Sequence, residues 1–225
     1  MTTQRPRLVL FSGLGVDEEL FAPQRELAAR VEVVPWLRPQ QRENLRDYAR
    51  RLAATINPDG PLYLGGVSFG AMLALEAAAI LRPRGVFMIG GARSGQALAP
   101  IVKMSARLSR RLPDWTITTT LLASPLLVRM VGKPGRRDRD FLLRLAARGI
   151  PWLTGWGAGA ILDWSAAADL PGCPVHHIHG EHDRMIPPTS LRPRPDVIVP
   201  RAGHVINVTH AQTVNAFIAQ RLALG

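Results

Sequence analysis

Short apolar runs alternate with helix-patterned stretches from Leu8 to Ile89, and that rhythm leaves few folds open. Leu8 to Phe11 reads as a buried strand, and Asp17 can cap a helix whose Leu20, Phe21 and Leu27 fall near one face. Val31 to Val34 repeats the strand signal. Asn44 to Ile56 then places Leu45, Tyr48, Leu52 and Ile56 at helical spacing, and Asn57-Pro58-Asp59-Gly60 is a turn. Leu62 to Val67 reads as a third strand, Gly70 to Leu81 as an Ala-rich helix stopped before Pro83, and Val86 to Ile89 as a fourth strand. Strands separated by helices pair in parallel through right-handed crossovers, so the predicted class is α/β.

From Gly90 the rhythm changes, and helical periodicity continues with no convincing strand before Val175. Helices are predicted over 97–111, 117–131 with a kink near Pro125, 138–148 and 152–164. Strand signals resume at Val175 to His179 and Val197 to Val199, and a closing helix runs near Asn207 to Leu224. The pattern predicts one domain: a core of residues 1–91 and 165–225, mainly a parallel sheet flanked by helices, with residues 92–164 inserted as a helical lid.

Charge is concentrated in that insertion. Residues 92–160 hold twelve Arg and Lys against three acids, nine of the chain's net +11, and 26 of its 28 basic residues are Arg. A solvated Arg-rich helix face accounts for this, and so does a surface that meets an acidic carrier protein or an anionic membrane. No nucleic-acid-binding module is present, so nucleic acid ranks last among partners. Cys173 stands alone beside Pro174, which rules out an intramolecular disulfide and fits a small packing residue. Arg5 and Arg7 precede an apolar run too short for a signal peptide, and no stretch approaches a membrane span, which predicts a cytoplasmic protein.

Gly66-Val67-Ser68-Phe69-Gly70 matches G-x-S-x-G, where an apolar strand meets a helix. A strained turn there exposes the Ser68 hydroxyl, a poor nucleophile until a base takes its proton. His204, in Arg201-Ala202-Gly203-His204, falls on a loop between the last strand and the closing helix. His176, His177 and His179 fall in a strand and His210 in the closing helix, where packing or a polar place in the core is the simpler role. Asp183, in His179-Gly180-Glu181-His182-Asp183, follows a strand end and is the favoured partner for His204 over Glu181 and Asp163. Ser12-Gly13-Leu14-Gly15 follows the first strand, so the Leu14 and Phe69 N–H groups are the candidate oxyanion donors. Gly65 to Gly70 lacks the Lys and Ser or Thr of a phosphate-binding loop, since Ala71 and Met72 stand there. His177, His179, His182 and Asp183 resemble a metal-ligand run, yet strand alternation and a turn account for them equally well, and neither metal nor cofactor is predicted.

With these motifs in the order Ser, Asp, His, the chain resembles the α/β-hydrolase superfamily, as a small lid-bearing member similar to serine esterases. The resemblance implies a parallel-dominated sheet with a helical lid inserted after the strand that follows the elbow helix. Members often begin with an extra β-hairpin. Here the chain starts at the oxyanion strand, which predicts a six-stranded core. Members often carry His before the oxyanion-loop glycine, and here that residue is Ser12. The expected activity is hydrolysis of an acyl ester or thioester, with Trp115, Trp152 and Trp156 of the lid offering an apolar wall or simply burying the lid. The alternative is a non-catalytic binding protein whose Arg-rich lid holds an acidic partner.

Overall fold

The computed structural model describes residues 5–109, 135–166 and 172–223. Six strands, β1 (Arg7–Phe11), β2 (Arg30–Val33), β3 (Leu62–Val67), β4 (Gly85–Ile89), β5 (Val175–Gly180) and β6 (Val197–Val199), form one sheet in the order β2-β1-β3-β4-β5-β6. Every neighbouring pair is parallel, as the strand and helix alternation predicts. The chain enters at β1, winds out to β2, and returns to β3 before running to β6. The winding direction therefore reverses beside β1 and β3, and at such a reversal the carboxyl ends of the strands open a crevice.

Strand alternation builds both layers of the core. Val9, Phe11, Leu62, Leu64, Val86 and Met88 face one way, onto α1 (Leu45–Ala53) and α2 (Phe69–Leu81). Leu8, Leu10, Tyr63, Val67, Phe87 and Ile89 face the other, onto a 3-10 helix (Glu18–Glu26) and the C-terminal helices. Between β4 and β5 the described chain forms α3 (Pro100–Ser109), α4 (Arg136–Ala147) and α5 (Pro151–Leu162). Leu153 and Ile161 of α5 join the first core layer, while Leu145 of α4 joins the second. The predicted helix 117–131, and Trp115 with it, lies outside the described residues. Among the described residues no helix is long and apolar enough to cross a membrane.

Three expectations are corrected in detail. The helix capped by Asp17 is a 3-10 helix, and it contains Pro23, which removes a backbone donor that an α-helix needs. The helix predicted from 97 starts at Pro100, after a short 3-10 turn at Gly95–Ala97, since proline suits the first turn. The closing helix is two pieces, α6 (Ile206–Thr209) and α7 (Ala211–Leu222), broken at His210, whose φ of -132° and ψ of 42° leave the helical region.

Candidate active site

Ser68 joins β3 to α2 with φ 55° and ψ -113°, a backbone conformation that costs an L-residue energy and is held by its surroundings. Its N–H donates to Ile89 O at 2.9 Å. The flanking glycines are required by close approach: a Cβ on Gly66 would run into the Gly70 backbone, and one on Gly70 into Phe11 O. The turn is thus wedged against the end of β1.

The three predicted side chains arrive from the carboxyl ends of β3, β5 and β6. His204 Nε2 lies 2.9 Å from Ser68 Oγ, and His204 Nδ1 lies 2.7 Å from Asp183 Oδ2. A carboxylate only accepts, so Nδ1 carries the proton and Nε2 presents a lone pair to the serine hydroxyl. Asp183 and His204 are both buried. The other carboxylate oxygen, Oδ1, accepts the N–H groups of Met185 and Ile186, each at 2.9 Å. Burial alone would raise the Asp183 pKa. The attraction of His204, the N–H of His179 at 3.0 Å and the hydrogen bond from His204 outweigh it and hold the carboxyl well below the usual carboxylate range. Asp183 is therefore ionised at neutral pH.

The competing acids stand elsewhere. Glu181 is exposed and accepts the Arg201 N–H at 2.7 Å, bracing the loop that carries His204. Asp163 is the C-terminal cap residue of α5. Of the run resembling metal ligands, His182 is exposed beside Glu181, apart from the buried His177, His179 and Asp183.

Leu14 lies in a turn closed by the Val16 N–H to Gly13 O at 3.2 Å, and Phe69 opens α2, whose first N–H groups have no partner within the helix. Ser12, standing where related chains often have His, donates its hydroxyl to Asp17 O at 2.7 Å and so closes the loop onto its own following segment. The loop is also stitched to α5. Ile150 N–H donates to Gly15 O at 2.8 Å, and a Cβ on Gly157 would run into the Leu14 side chain.

The tryptophans of α5 and its end tie the inserted helices to the core. Trp156 donates Nε1–H to Glu43 O at 3.0 Å and packs its ring 4.5 Å from Tyr48 and 6.2 Å from Phe69. Trp152 lies under the Arg38 guanidinium, 5.8 Å from centroid to carbon. Trp164 is buried and donates to Glu76 Oε1 at 2.7 Å. The sequence marks His179 as a packing or polar core residue, and its contact with Asp183 at 3.0 Å emerges only in the fold. The available signal was strand alternation, which puts His177 and His179 on one face just before the Gly180 turn.

The family model described as "Alpha/beta hydrolase family" matches residues 8–217. Solved structures with the same fold include a thermophilic esterase from Thermogutta terrifontis, 20% identical, covering 98% of this chain and 90% of that one with a TM-score of 0.67. An enol-lactonase from Burkholderia xenovorans is 16% identical over 98% and 92%, with a TM-score of 0.71. A thioesterase of the prodiginine pathway from Streptomyces coelicolor is 22% identical over 96% and 85%, with a TM-score of 0.61. No curated protein of known function matches the sequence closely enough to count as a relative. The parallel six-stranded sheet, the serine turn at its winding reversal and a family match spanning nearly the whole chain together make this chain a member of the alpha/beta hydrolase family.

Proposed function

We propose that this protein hydrolyses a carboxylic ester or thioester through an acyl-enzyme. Ser68 Oγ attacks the acyl carbon while His204 Nε2 takes its proton, and Asp183 stabilises the resulting imidazolium. The Leu14 and Phe69 N–H groups hold the oxyanion. His204 then returns the proton to the leaving alcohol or thiol, and a water activated by the same nitrogen releases the acid. What supports this is the unbroken hydrogen-bonded line Ser68, His204, Asp183, at 2.9 and 2.7 Å, beside a strained serine turn. The esterase, lactonase and thioesterase among the similar structures point to the same class of bond. Residues 92–164 act in this scheme as a lid, with Trp152 and Trp156 supplying apolar surface for the acyl group.

A fluorophosphonate probe tests the reading directly. Wild type should label at Ser68 and lose turnover of p-nitrophenyl esters or acyl thioesters in parallel, and Ser68→Ala should do neither. Equal labelling of wild type and Ser68→Ala, or none in wild type, overturns it.

A second reading concerns recruitment by the basic segment. Along α4, Arg136, Arg137, Arg139 and Arg144 outnumber Asp138 and Asp140, and a cavity of about 350 Å³ opens between Arg137, Arg144 and Phe141 on one side and Pro23 and Val208 on the other. Such a face would draw an acyl group presented on an acidic carrier or an anionic surface. Turnover should then fall as salt rises, and reversing Arg136, Arg137 and Arg139 to Glu should remove that salt dependence.

A further inference from the structure

Resting on the hydrolase reading, we propose that His179 is a positioning residue: it locks the Asp183 carboxylate in the orientation that keeps His204 aimed at Ser68, and His177 holds His179 in turn. Neither histidine has a part in the mechanism above, yet both are buried and lie in line with it.

The hydrogen bonds dictate how the rings are protonated. His179 Nε2 is 2.8 Å from Ile186 O and 3.0 Å from Asp183 Oδ2. Both oxygens are acceptors, so Nε2 carries a proton; it donates that proton to Ile186 O and keeps its positive N–H edge against Asp183 Oδ2. Asp183 then has three hydrogen-bond donors, the N–H groups of Met185 and Ile186 on Oδ1 and His204 on Oδ2, and the Nε2–H of His179 as a close electrostatic neighbour of Oδ2 at 3.0 Å. The terminal torsion of an aspartate is broad, and a hydrogen bond from His204 after β6 together with the polar N–H edge of His179 at the end of β5 narrows it where one contact would not. Ile186 contributes at both ends of the device, its carbonyl accepting from His179 and its N–H donating to Asp183.

His177 extends the line inward. Its Nε2 lies 3.3 Å from His179 Nδ1, with the two rings edge to face at 84°. Its own backbone N–H donates to Asp196 Oδ2 at 2.8 Å, pinning the strand at that point. Burial, with the neighbouring His179 and Arg93 adding to it, pushes the His177 ring down to about 3, so it is neutral at working pH. The result is a chain of contacts from His177 through His179, Asp183 and His204 to Ser68.

The experiment compares His179→Gln with His179→Leu. The glutamine can place an amide N–H near the position of Nε2, whereas leucine keeps bulk and removes the donor. Three readouts are taken: kcat and KM on p-nitrophenyl esters, the rate of fluorophosphonate labelling, and the far-downfield proton resonance of the His204–Asp183 hydrogen bond. In His179→Leu, kcat and labelling rate should fall roughly 10- to 100-fold with KM little changed, as for other partners that orient a reacting group. The downfield resonance should shift or broaden, and His179→Gln should restore all three. A residue that only fills the core would move stability in both variants and leave kcat and the resonance alone, which overturns the proposal. Should His179→Leu fail to fold, His179→Asn, polar but too short to reach Asp183, carries the same comparison. If wild type neither labels nor turns over any ester, the hydrolase reading fails by itself. The resonance then still decides whether His179 positions Asp183.

Discussion

Ser68 is held in a costly backbone conformation by neighbours that leave no room for side chains. The main chain thereby fixes where the side chain starts, and the hydroxyl lies 2.9 Å from His204 Nε2. This tolerance is local. Gly70→Ala places a methyl group against Phe11 O, backbone that cannot swing away, whereas Gly135 and Gly172 have nothing within 4 Å of an added Cβ. Gly70→Ala should therefore lower Tm sharply and abolish labelling at Ser68, while Gly135→Ala should leave both unchanged. Thermal melts with a fluorophosphonate gel would check both variants. Single substitutions that force backbone apart stand among the few that cost more than about 4 kcal/mol.

At the scale of elements, α5 is the piece that ties the inserted helices to the site. It packs on the Leu14 loop through Gly157, on Phe69 through Trp156, and continues into Trp164, whose indole donates to Glu76. Glu76 lies on α2, the helix that starts at the serine turn, and its second oxygen pairs with Arg46 of α1 at 3.1 Å. Three helices thus meet at one carboxylate. Trp164→Phe keeps most of the ring but leaves a buried oxygen one donor short. Urea unfolding should show a loss of about 1–3 kcal/mol, since an abandoned buried acceptor costs its desolvation. Esterase activity measured well below the midpoint should persist.

For the whole molecule, the buried line of imidazoles and carboxylate couples stability to pH. His177 has its folded pKa pushed down to about 3, below its ordinary value near 6.5. The unfolded chain therefore binds a proton that the folded chain refuses, and stability falls as pH drops from about 6.5 toward 3, by up to roughly 1 kcal/mol per pH unit. Asp183 shifts in the same sense for the opposite reason. Its folded carboxyl is depressed, so its contribution is present above about pH 4, the unfolded value, and is lost as acid protonates it. Denaturation midpoints measured from pH 7 to pH 4 should decline, and His177→Gln, which has no proton to gain, should flatten the decline between about pH 6.5 and 4.

All six strands, the parallel class, and the places of Ser68, Asp183 and His204 at strand ends could be read from residue order. Each rests on local chemistry: apolar runs that must be buried, glycines around a turn, and turn residues after a strand. Reading stopped where distance in space took over. His210 breaks the closing helix although its flanks are helical in pattern, and Pro100 delays α3 although the periodicity starts earlier. His179 is read only as a packing or polar core residue because no short-range signal says that the residue four positions on will fold back to 3.0 Å from its ring. Residue order determined the strands, most of the helices and the edge of the sheet at which Ser68, Asp183 and His204 stand. Only the packed tertiary structure decided which buried polar groups touch, because a hydrogen bond in the interior depends on angstrom-scale placement of loops that the local sequence leaves open.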